Sequence, residues 1–497
     1  MTDRHFTAYV RLLERRFVSF MGLFAVVLFL SGCGLSPDYV RPDLDLPGIY
    51  TEGEGMPQPV VAYSAETRDW WRNFESPALS ELQHRALANS YAFRAERESL
   101  AQALYRARQA RAVLLPGVNT SGSGSRRGSA VPGGYVKNDA LSGTIQASYE
   151  LDIWGANMET AQAAGHRFIA GLNAWRGAGL SLESEVALTY FAYLAARENL
   201  AVYDATLANA REVLSYQETR EKLGAAAPLD VARQRSSVAA MEAGRINHRI
   251  KMTAARNSLC QLIGVAELPG DILAMMEKET IGNLVPPTIN TGIPSDLLLR
   301  RPDLAQAEAN LKAANADIGV ARAAFLPGIT LTASAGWQSD SLSSLINPAS
   351  ALFSLGASLL QPIFQGGRIL NQYEATVAAH RELMERYREA ALAAFLEVAT
   401  ALDSNKLLQE QEAHREFSRQ QATEAYRIAR LRYEAGAEDF LAVLSAQESV
   451  LNAENQTVQS RLERLNTVVA LFKALGGGWG AEQADFLGKK PEAASRP

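Results

Sequence analysis

The chain has 497 residues, of which 47% are hydrophobic and 21% are charged, and its formal net charge at pH 7 is −5. This composition is typical of a folded protein and excludes a largely disordered one. The net negative charge argues against nucleic acid as a main partner, because nucleic-acid-binding domains usually carry a basic face. The length is enough for two or three ordinary domains or for one large elongated unit.

The N-terminus has the pattern of a bacterial targeting signal. Arginines precede an apolar run at residues 20–30, which is too short for a membrane span, because a relaxed helical span needs ~20 residues. The run ends in Leu-Ser-Gly directly before Cys33, and this spacing resembles the lipobox of bacterial lipoproteins. We therefore predict a signal peptide over residues 1–32 and acylation of Cys33. The alternative is an ordinary signal peptide followed by an unrelated cysteine.

No motif in the sequence indicates catalysis. We find neither the HExxH spacing of zinc proteases nor a GxSxG nucleophile turn nor a phosphate-binding loop. We therefore expect a protein that is not an enzyme and that has no catalytic residues, no metal site and no cofactor.

The chain contains two copies of one pattern. Residues 110–118 read ARAVLLPGV, and residues 321–329 read ARAAFLPGI about 211 positions later. The same offset, or one larger by a single residue, aligns two further pairs of glycines: Gly155 with Gly366, and Gly224 with Gly436. This offset is far above the 20–50 residues of solenoid repeats, so the pattern predicts a duplicated half.

Each copy begins with an Ala-rich helical stretch that ends at a Leu-Pro-Gly. In the second copy Ser295 or Asp296 suits a helix cap and Pro302 suits a helix start. After Pro116 and Pro327 the hydrophobic period changes from helical to alternating. The alternation predicts strands of about 10–12 residues, the length of a transmembrane β-strand. The predicted strands cover 141–152, 329–338, 353–359 and, more weakly, 118–127, with hairpin tips at 128–138 and 339–350.

The alternating strands have one apolar and one polar face. If the sheet lies in a membrane, we predict that Ile145, Ala147, Leu331 and Ala333 face lipid and that Thr144, Gln146, Thr330 and Thr332 face a lumen. A half-buried soluble sheet alternates equally well, and this alternative stays open. A membrane location requires several chains to share one barrel, because four strands are too few to close and open edges are not tolerated in lipid.

Very long helical stretches follow each predicted hairpin. Residues 155–223 and 366–435 contain no proline, and a helix of this length reaches ~100 Å. Each is followed by a shorter helix that runs back in the opposite direction, at 229–263 and 440–475. The helices alone are also compatible with a coiled-coil scaffold.

These patterns divide the chain into six segments. They are the signal peptide at 1–32, a lipid-anchored leader at 33–76, a first structural repeat at 77–263, an irregular equatorial segment at 264–294, a second structural repeat at 295–475, and a flexible tail at 476–497. We expect each repeat to contain a helix, a β-hairpin and a long helix pair.

Four stretches carry a family resemblance. They are IPSDLLLRRPDL at 293–304, ANADIGVARAAFLP at 314–327, QPIFQGG at 361–367 and RYEAG at 432–436. With them the chain resembles the outer membrane efflux protein family of the TolC and OprM class, and within it the NodT-like lipoprotein subgroup that serves RND-type pumps. The resemblance covers nearly the whole mature chain.

The resemblance implies a mixed α and β membrane protein. It implies a homotrimer whose 12-stranded outer-membrane β-barrel, with four strands per chain, continues into a long periplasmic α-helical barrel. It further implies a periplasmic membrane-fusion adaptor, an inner-membrane RND pump and outer-membrane lipid as partners, with no nucleic acid. Such a channel is a passive conduit for drugs, toxic compounds or metal ions. The alternatives are a type I secretion channel and a trimeric periplasmic lipoprotein scaffold without a pore.

The resemblance also implies a gate at the periplasmic end, by the turn at Gly436. In a trimer Leu441 would form an apolar ring, and Ser445 lies four residues later on the same helix face. Many relatives have an aspartate where this chain has Ser445. An acidic ring would therefore need another source, and the candidates are Glu438, Asp439 and Glu448.

Three further residues lie across that turn and are candidates for a latch between helices. Arg432, Tyr433 and Glu434 offer hydrogen bonds and ion pairs at the predicted end of the long helix. The alternative is that Leu441 is ordinary helix packing and that Arg432 is a solvated charge.

Overall fold

The computed structural model describes residues 35–44, 47, 69–287 and 300–477. The predictions on the signal peptide, Cys33, Ser295, Asp296 and residues 478–497 lie outside the described residues.

Helices and strands occur in the order that the duplication predicts. The helices are α1 Pro77–Asn89, α2 Tyr91–Ala112, α3 Ala156–Lys222, α4 Pro228–Leu262, α5 Gly270–Met276, α6 Pro302–Ala323, α7 Arg368–Glu434 and α8 Phe440–Ala474. The strands are β1 Gly117–Val131, β2 Gly134–Leu151, β3 Gly328–Ser339 and β4 Ala351–Leu360. Short 3-10 turns lie at Trp70–Phe74, Ile281–Asn283, Leu342–Ser344 and Pro348–Ser350.

The helices of the two copies have equal lengths. Helices α2 and α6 both have 22 residues, α3 and α7 both have 67, and α4 and α8 both have 35. The extra residue of the second copy lies before its long helix. There Gly366 and Gly367 both have positive φ, whereas the first copy has Gly155 alone. The prediction of long paired helices is confirmed to within two residues at each end.

The four strands form one antiparallel sheet in the order β1-β2-β3-β4. Ala147 pairs with Ala333, which pairs with Leu355, and Gln146 pairs with Ser334 on the opposite face. Apolar positions therefore meet apolar positions across β2, β3 and β4, as the alternation predicts.

The loop predicted for the first hairpin, at residues 128–138, is wrong, because most of it belongs to the strands. Strands β1 and β2 have 15 and 18 residues and leave only Pro132 and Gly133 as the loop. The Gly- and Ser-rich sequence suggested a loop at 128–138, but Arg126 pairs with Asp139 across the ladder, and the backbone bonds continue beyond them. The second predicted tip is confirmed, since residues 340–350 lie between β3 and β4.

The chain divides into two compact units. One contains residues 35–43, 100–171 and 306–388, and the sheet belongs to it. Within it the leader lies along α6: the Leu35 carbonyl accepts a hydrogen bond from Arg322 at 2.9 Å, and the Pro37 carbonyl accepts one from Asn315 at 2.7 Å.

The leader approaches α6 most closely at Gly319. A Cβ on this glycine would lie 2.8 Å from the Ser36 nitrogen, which is too close for a nonbonded contact. The Ser36 hydroxyl also donates to Glu159 of α3 at 2.7 Å. The absence of a side chain at residue 319 thus allows the leader to pack on the helix.

The other unit has an aromatic core and comprises residues 44–99, 172–305 and 389–497, as far as these are described. Trp70 stacks on Phe472 with ring centroids 5.2 Å apart, and Phe74 packs on Phe191 at the same distance. In the described part of the chain, no helix is long and apolar enough to cross a membrane.

One carboxyl group lies inside this core. The Glu183 side chain of α3 is 3% exposed and accepts a hydrogen bond from the Trp70 indole at 3.1 Å. Burial raises the pKa of Glu183 to about 8, and the negative charge of Asp69 adds to this, whereas the Trp70 hydrogen bond opposes it.

We predict that Glu183→Gln flattens the pH dependence of stability. The pKa of Glu183 is higher in the folded chain than its ordinary value of 4.5. The stabilising contribution of the neutral carboxyl group to the free energy of unfolding is therefore complete below pH 4.5 and is lost as the pH rises through about 8. The loss is on the order of 4 kcal/mol. Thermal unfolding of the full chain from pH 5 to 8 measures it. The control is Glu185→Gln, an exposed carboxylate on the same helix, and equal pH profiles in the two variants would contradict the assignment.

Candidate functional site at the Gly436 turn

The turn between α7 and α8 is closed by a left-handed glycine. Gly436 has φ +72°, a conformation that glycine adopts without steric cost at helix ends. Its N–H donates to the Tyr433 carbonyl at 2.9 Å, and the next N–H, of Ala437, donates to the Arg432 carbonyl at 2.8 Å. These bonds satisfy carbonyls that the end of the helix leaves without partners.

The first copy has the same backbone geometry at its own turn. Gly224 also has φ +72°, and the N–H of Ala225 donates to the Arg220 carbonyl at 2.8 Å. The two turns differ in their side chains, because Arg220 is the counterpart of Arg432 but Tyr433 has no aromatic counterpart.

Asp439 begins the returning helix. Its carboxylate accepts a hydrogen bond from the Ala442 N–H at 3.0 Å and caps α8. In the first copy, α4 begins with Pro228 and has no side-chain cap. Of the predicted acidic residues, Asp439 therefore has a local structural role at the turn.

The first turns of α8 have two different faces. Leu441, Ser445 and Glu448 are exposed on one face, and Leu441 is 45% exposed. Val443 and Leu444 are buried on the other face. Leu441 is thus not part of the hydrophobic core of its own chain.

Tyr433 connects three helices. Its hydroxyl accepts hydrogen bonds from the Gln217 amide at 2.7 Å and from the Arg220 guanidinium at 2.8 Å, both on α3. Its ring packs against Phe440, at the start of α8, with centroids 5.5 Å apart. The Arg220 guanidinium lies 5.5 Å from the centre of the same ring, within the range of a cation–π interaction.

The charged residues of the turn form weaker contacts. Arg432 lies 3.6 Å from Glu438, and Glu434 pairs with Arg430 at 2.9 Å within α7. All four side chains are at least one-third exposed, and exposed pairs contribute about 0–1 kcal/mol. The hydroxyl and ring of Tyr433 therefore make the more specific link of the predicted latch.

A cavity of about 230 Å³ adjoins these contacts. Aromatic and charged side chains line it: Glu212, Val213, Tyr216, Arg430, Tyr433, Glu434, Phe440 and Val443. Across the residues that the structure describes, no group of three or more His, Cys, Asp or Glu is placed to hold a metal ion.

The partners of Tyr433 were not predicted from the sequence. Gln217 and Arg220 lie 216 and 213 residues away from it along the chain. One feature of the sequence pointed to Arg220 as a partner. The offset that aligns Gly224 with Gly436 also aligns Arg220 with Arg432, which directly precedes Tyr433.

Comparison with known proteins defines the class. The family model described as outer membrane efflux protein matches residues 82–265 and 293–477. The chain belongs to the outer membrane efflux protein family.

Two relatives show how much of the chain the likeness covers. The chain is 36% identical over 484 residues to the pyoverdine export outer membrane protein OpmQ of Pseudomonas aeruginosa, and the match covers 94% of this chain and 99% of that protein. It is 33% identical over 471 residues to the toluene efflux pump outer membrane protein TtgF of Pseudomonas putida, with 92% and 96% covered.

Solved structures have the same fold. The open state of the MtrE outer membrane channel of Neisseria gonorrhoeae matches with a TM-score of 0.80 at 28% identity, over 90% of this chain and 98% of that chain. The outer-membrane channel OprN matches with a TM-score of 0.80 at 25% identity, over 90% and 100%. The chain is thus an outer-membrane component of an efflux system, and its family is one of channel components and not an enzyme class.

We predict that Asp439→Ala loosens the start of α8. Loss of an N-cap costs ~1 kcal/mol, so amide hydrogen exchange in the first turn should accelerate about fivefold. Exchange measured by mass spectrometry on peptides that contain residues 440–445 tests this. The control is Glu438→Ala, which removes a neighbouring carboxylate that caps no helix. If both variants exchange at the wild-type rate, the cap contributes nothing.

Proposed function

We propose that this chain forms, as a homotrimer, the outer-membrane conduit of a tripartite efflux pump for small molecules. The observation that carries the proposal is a four-stranded sheet with two unpaired edges and with one apolar and one polar face. A periplasmic membrane-fusion adaptor and an inner-membrane RND pump complete the assembly. The pump supplies the energy, and the channel lets its cargo pass by diffusion.

The sheet edges support the trimer. Among the residues that the structure describes, strands β1 and β4 each pair with only one neighbour. Lipid provides no hydrogen bonds for the outer edge of either strand, and a barrel removes both edges. Three copies give 12 strands, which lies within the range of bacterial outer-membrane barrels.

The side chains on the two faces support the orientation. On the apolar face, Phe353 and Leu355 are 82% and 81% exposed in the single chain, although large apolar side chains are normally buried. On the other face hydroxyl groups join neighbouring strands, between Ser121 and Thr144 at 2.9 Å and between Ser334 and Ser354 at 2.9 Å. The apolar face suits lipid, and the hydroxyl-rich face suits a water-filled lumen.

We predict that arginine is tolerated on one face only. Ile145→Arg places a charge on the proposed lipid face, at a cost of about 2–4 kcal/mol near the bilayer midplane, whereas Thr144→Arg places it in water. The measurement is the amount of heat-resistant trimer in outer membranes. Equal assembly of the two adjacent variants would contradict the proposed faces.

Lipidation of Cys33 is the second part of the proposal. The leader is attached to the sheet-containing unit from Leu35 onwards, by the bonds of Leu35 and Pro37 to α6. Arg322, which holds the Leu35 carbonyl, lies six residues before the first residue of β3, Gly328. Leu35, two residues after Cys33 in the sequence, is therefore held near the base of the strands.

We predict that labelled palmitate is incorporated into the wild type and not into Cys33→Ser. The test is metabolic labelling in a Gram-negative host. Cys260→Ser, which removes a buried thiol, is the control and should label like the wild type. We expect Cys33→Ser still to assemble, because the barrel itself is embedded in the membrane. Equal labelling of Cys33→Ser would refute the anchor.

The gate is the third part. Leu441 is exposed on its own chain, so three copies around an axis can form an apolar ring that excludes water and ions. Ser445, four residues later on this face, provides no charge. Glu438 and Glu448 remain as sources of an acidic ring, whereas Asp439 already caps α8. Arg432, Tyr433 and Glu434 form the latch, in which Tyr433 provides the specific link to α3.

We predict that Leu441→Ser raises single-channel conductance and admits large antibiotics, and that adding Tyr433→Phe raises it further. The smaller, polar side chain widens and wets the ring, and loss of the Tyr433 hydroxyl removes two hydrogen bonds to α3. Purified full-length channels in planar bilayers provide the measurement.

The matched control is Leu229→Ser. Leu229 is the counterpart of Leu441 in the first copy and is 58% exposed, so its substitution makes the same chemical change at the other turn. Unchanged conductance of an intact Leu441→Ser trimer would place the constriction elsewhere. Absence of any conductance in the wild type would favour the scaffold without a pore.

The cargo is a small molecule in this proposal. Relatives covering nearly the whole chain are named for export of pyoverdine and of toluene, and neither is a protein. This favours the efflux of drugs, toxic compounds or metal ions over type I protein secretion.

A further inference from the structure

The first hairpin extends beyond the four-stranded sheet. Strand β2 pairs with β3 only as far as Leu141 opposite Ser339, but it continues to pair with β1 as far as Gly134 opposite Val131. Residues 125–131 and 134–140 therefore form a two-stranded extension, which we call the ribbon. In the second copy a loop with two 3-10 turns stands in its place.

The ribbon places cations on the apolar face of the sheet. Side chains alternate along β2, so Asp139, Lys137 and Tyr135 lie on the same face as Leu141 and Ile145. Their partners on β1 are Arg126, Gly128 and Ala130, respectively. Arg127 lies opposite Asn138 and belongs to the other face.

The two cations on the apolar face differ in their surroundings. The Arg126 guanidinium donates two hydrogen bonds to the Asp139 carboxylate, at 2.5 and 2.7 Å, and its side chain is 70% exposed. Asp139 thus orients the guanidinium and leaves its remaining N–H groups for another anion. Lys137 has Gly128 across the ladder and interacts electrostatically with Asp139 two residues away, but among the described residues no hydrogen bond or close ion pair involves its ammonium.

Lys137 lies beyond the aromatic belt of the sheet, on its outer, polar side. Trp337, 43% exposed, lies on the apolar face opposite Gly143, and tryptophan at this position is typical of a membrane interface. Lys137 lies six residues beyond Gly143, so strand rise and tilt place its Cα ~15 Å farther out. The side chain of a lysine is long enough to reach back several ångströms towards the polar headgroups.

We propose that Lys137 and Arg126 bind phosphate groups of the glycolipid in the outer leaflet. This rests on the proposed function, in which the apolar face meets lipid. The chain enters the strands from helices at Gly117 and Gly328, so the ribbon emerges on the membrane side opposite to the helices. In a Gram-negative outer membrane that side consists of lipopolysaccharide, whose lipid A carries phosphates. Charge complementarity and continuity with the lipid-facing band select this partner.

The test compares lipid A binding by two single-charge variants on opposite faces. Full-length wild type, Lys137→Gln and Arg127→Gln in detergent micelles are titrated with fluorescent diphosphorylated lipid A. Loss of one charge-assisted contact should weaken binding by Lys137→Gln about tenfold. Arg127→Gln removes the same charge from the opposite face and should bind within about twofold of the wild type. The paired variant Arg126→Gln with Asp139→Asn removes the second cation without leaving a carboxylate unpaired, and should also weaken binding.

Three outcomes would overturn the proposal. Equal weakening by Lys137→Gln and Arg127→Gln would mean that only overall charge matters. Equal affinity of the wild type for lipid A without its phosphates would mean that phosphate is not recognised. Displacement of lipid A by millimolar inorganic phosphate would mean that the site takes the free anion.

Conductance separates this proposal from the proposed function. Lys137→Gln should conduct like the wild type in planar bilayers, because the ribbon lies outside the gate. If the wild type conducts but Lys137→Gln and Arg127→Gln bind lipid A equally well, the glycolipid contact is refuted and the channel is not. If the two variants differ in lipid A binding but the wild type does not conduct, the channel is refuted and the glycolipid contact is not.

Discussion

Backbone N–H and C=O groups have no hydrogen-bond partners in lipid, and this constraint governs the architecture. Strands β2 and β3 are paired on both sides, whereas β1 and β4 have one open edge each in the described part of the chain. A single chain is therefore an incomplete barrel, and the trimer that we propose pairs the remaining edges. The exposed Phe353 and Leu355 are understandable only in that setting, since they project from a sheet that has no core of its own on that face.

The two copies of the duplication have helices of equal length but different hairpins and turns. Three pairs of corresponding helices have the same length in the two copies. The hairpins and the turns between the long helices differ. The first copy carries the longer hairpin with Arg126 and Lys137, and the second carries the turn with the Asp439 cap and Tyr433.

The contacts of Tyr433 concentrate several weak interactions at one point of the turn. Two hydrogen bonds to α3 and an aromatic contact with Phe440 hold three helices together at one point. Each contact is worth about 1 kcal/mol, so a partner that docks at the gate that we propose needs only a few kcal/mol of differential interaction to release them. By contrast, Trp70, Phe74 and Phe191 of the aromatic core are buried, and this core is suited to remain unchanged.

The sequence by itself determined the duplication, the long helices and the alternation of the strands. These follow from local spacing: glycines end the helices, Pro116 and Pro327 stop the helical period, and side chains alternate with period two. The Asp439 cap is also a local pattern, because donor and acceptor lie three residues apart, but from the sequence Asp439 was predicted only as a source of an acidic ring. The family resemblance added the trimer and the gate, which no spacing within the chain defines.

Only the tertiary structure decided which residues meet across the chain. The hydrogen bonds of Tyr433 with Gln217 and Arg220 join residues more than 200 positions apart. The hydrogen bond between Glu183 and Trp70 likewise depends on the packing of distant segments. The length of the first hairpin also depended on cross-strand partners, because the pair of Arg126 and Asp139 extends a ladder through glycine- and serine-rich sequence. Local propensity predicted a loop there, and contacts between two strands outweighed it.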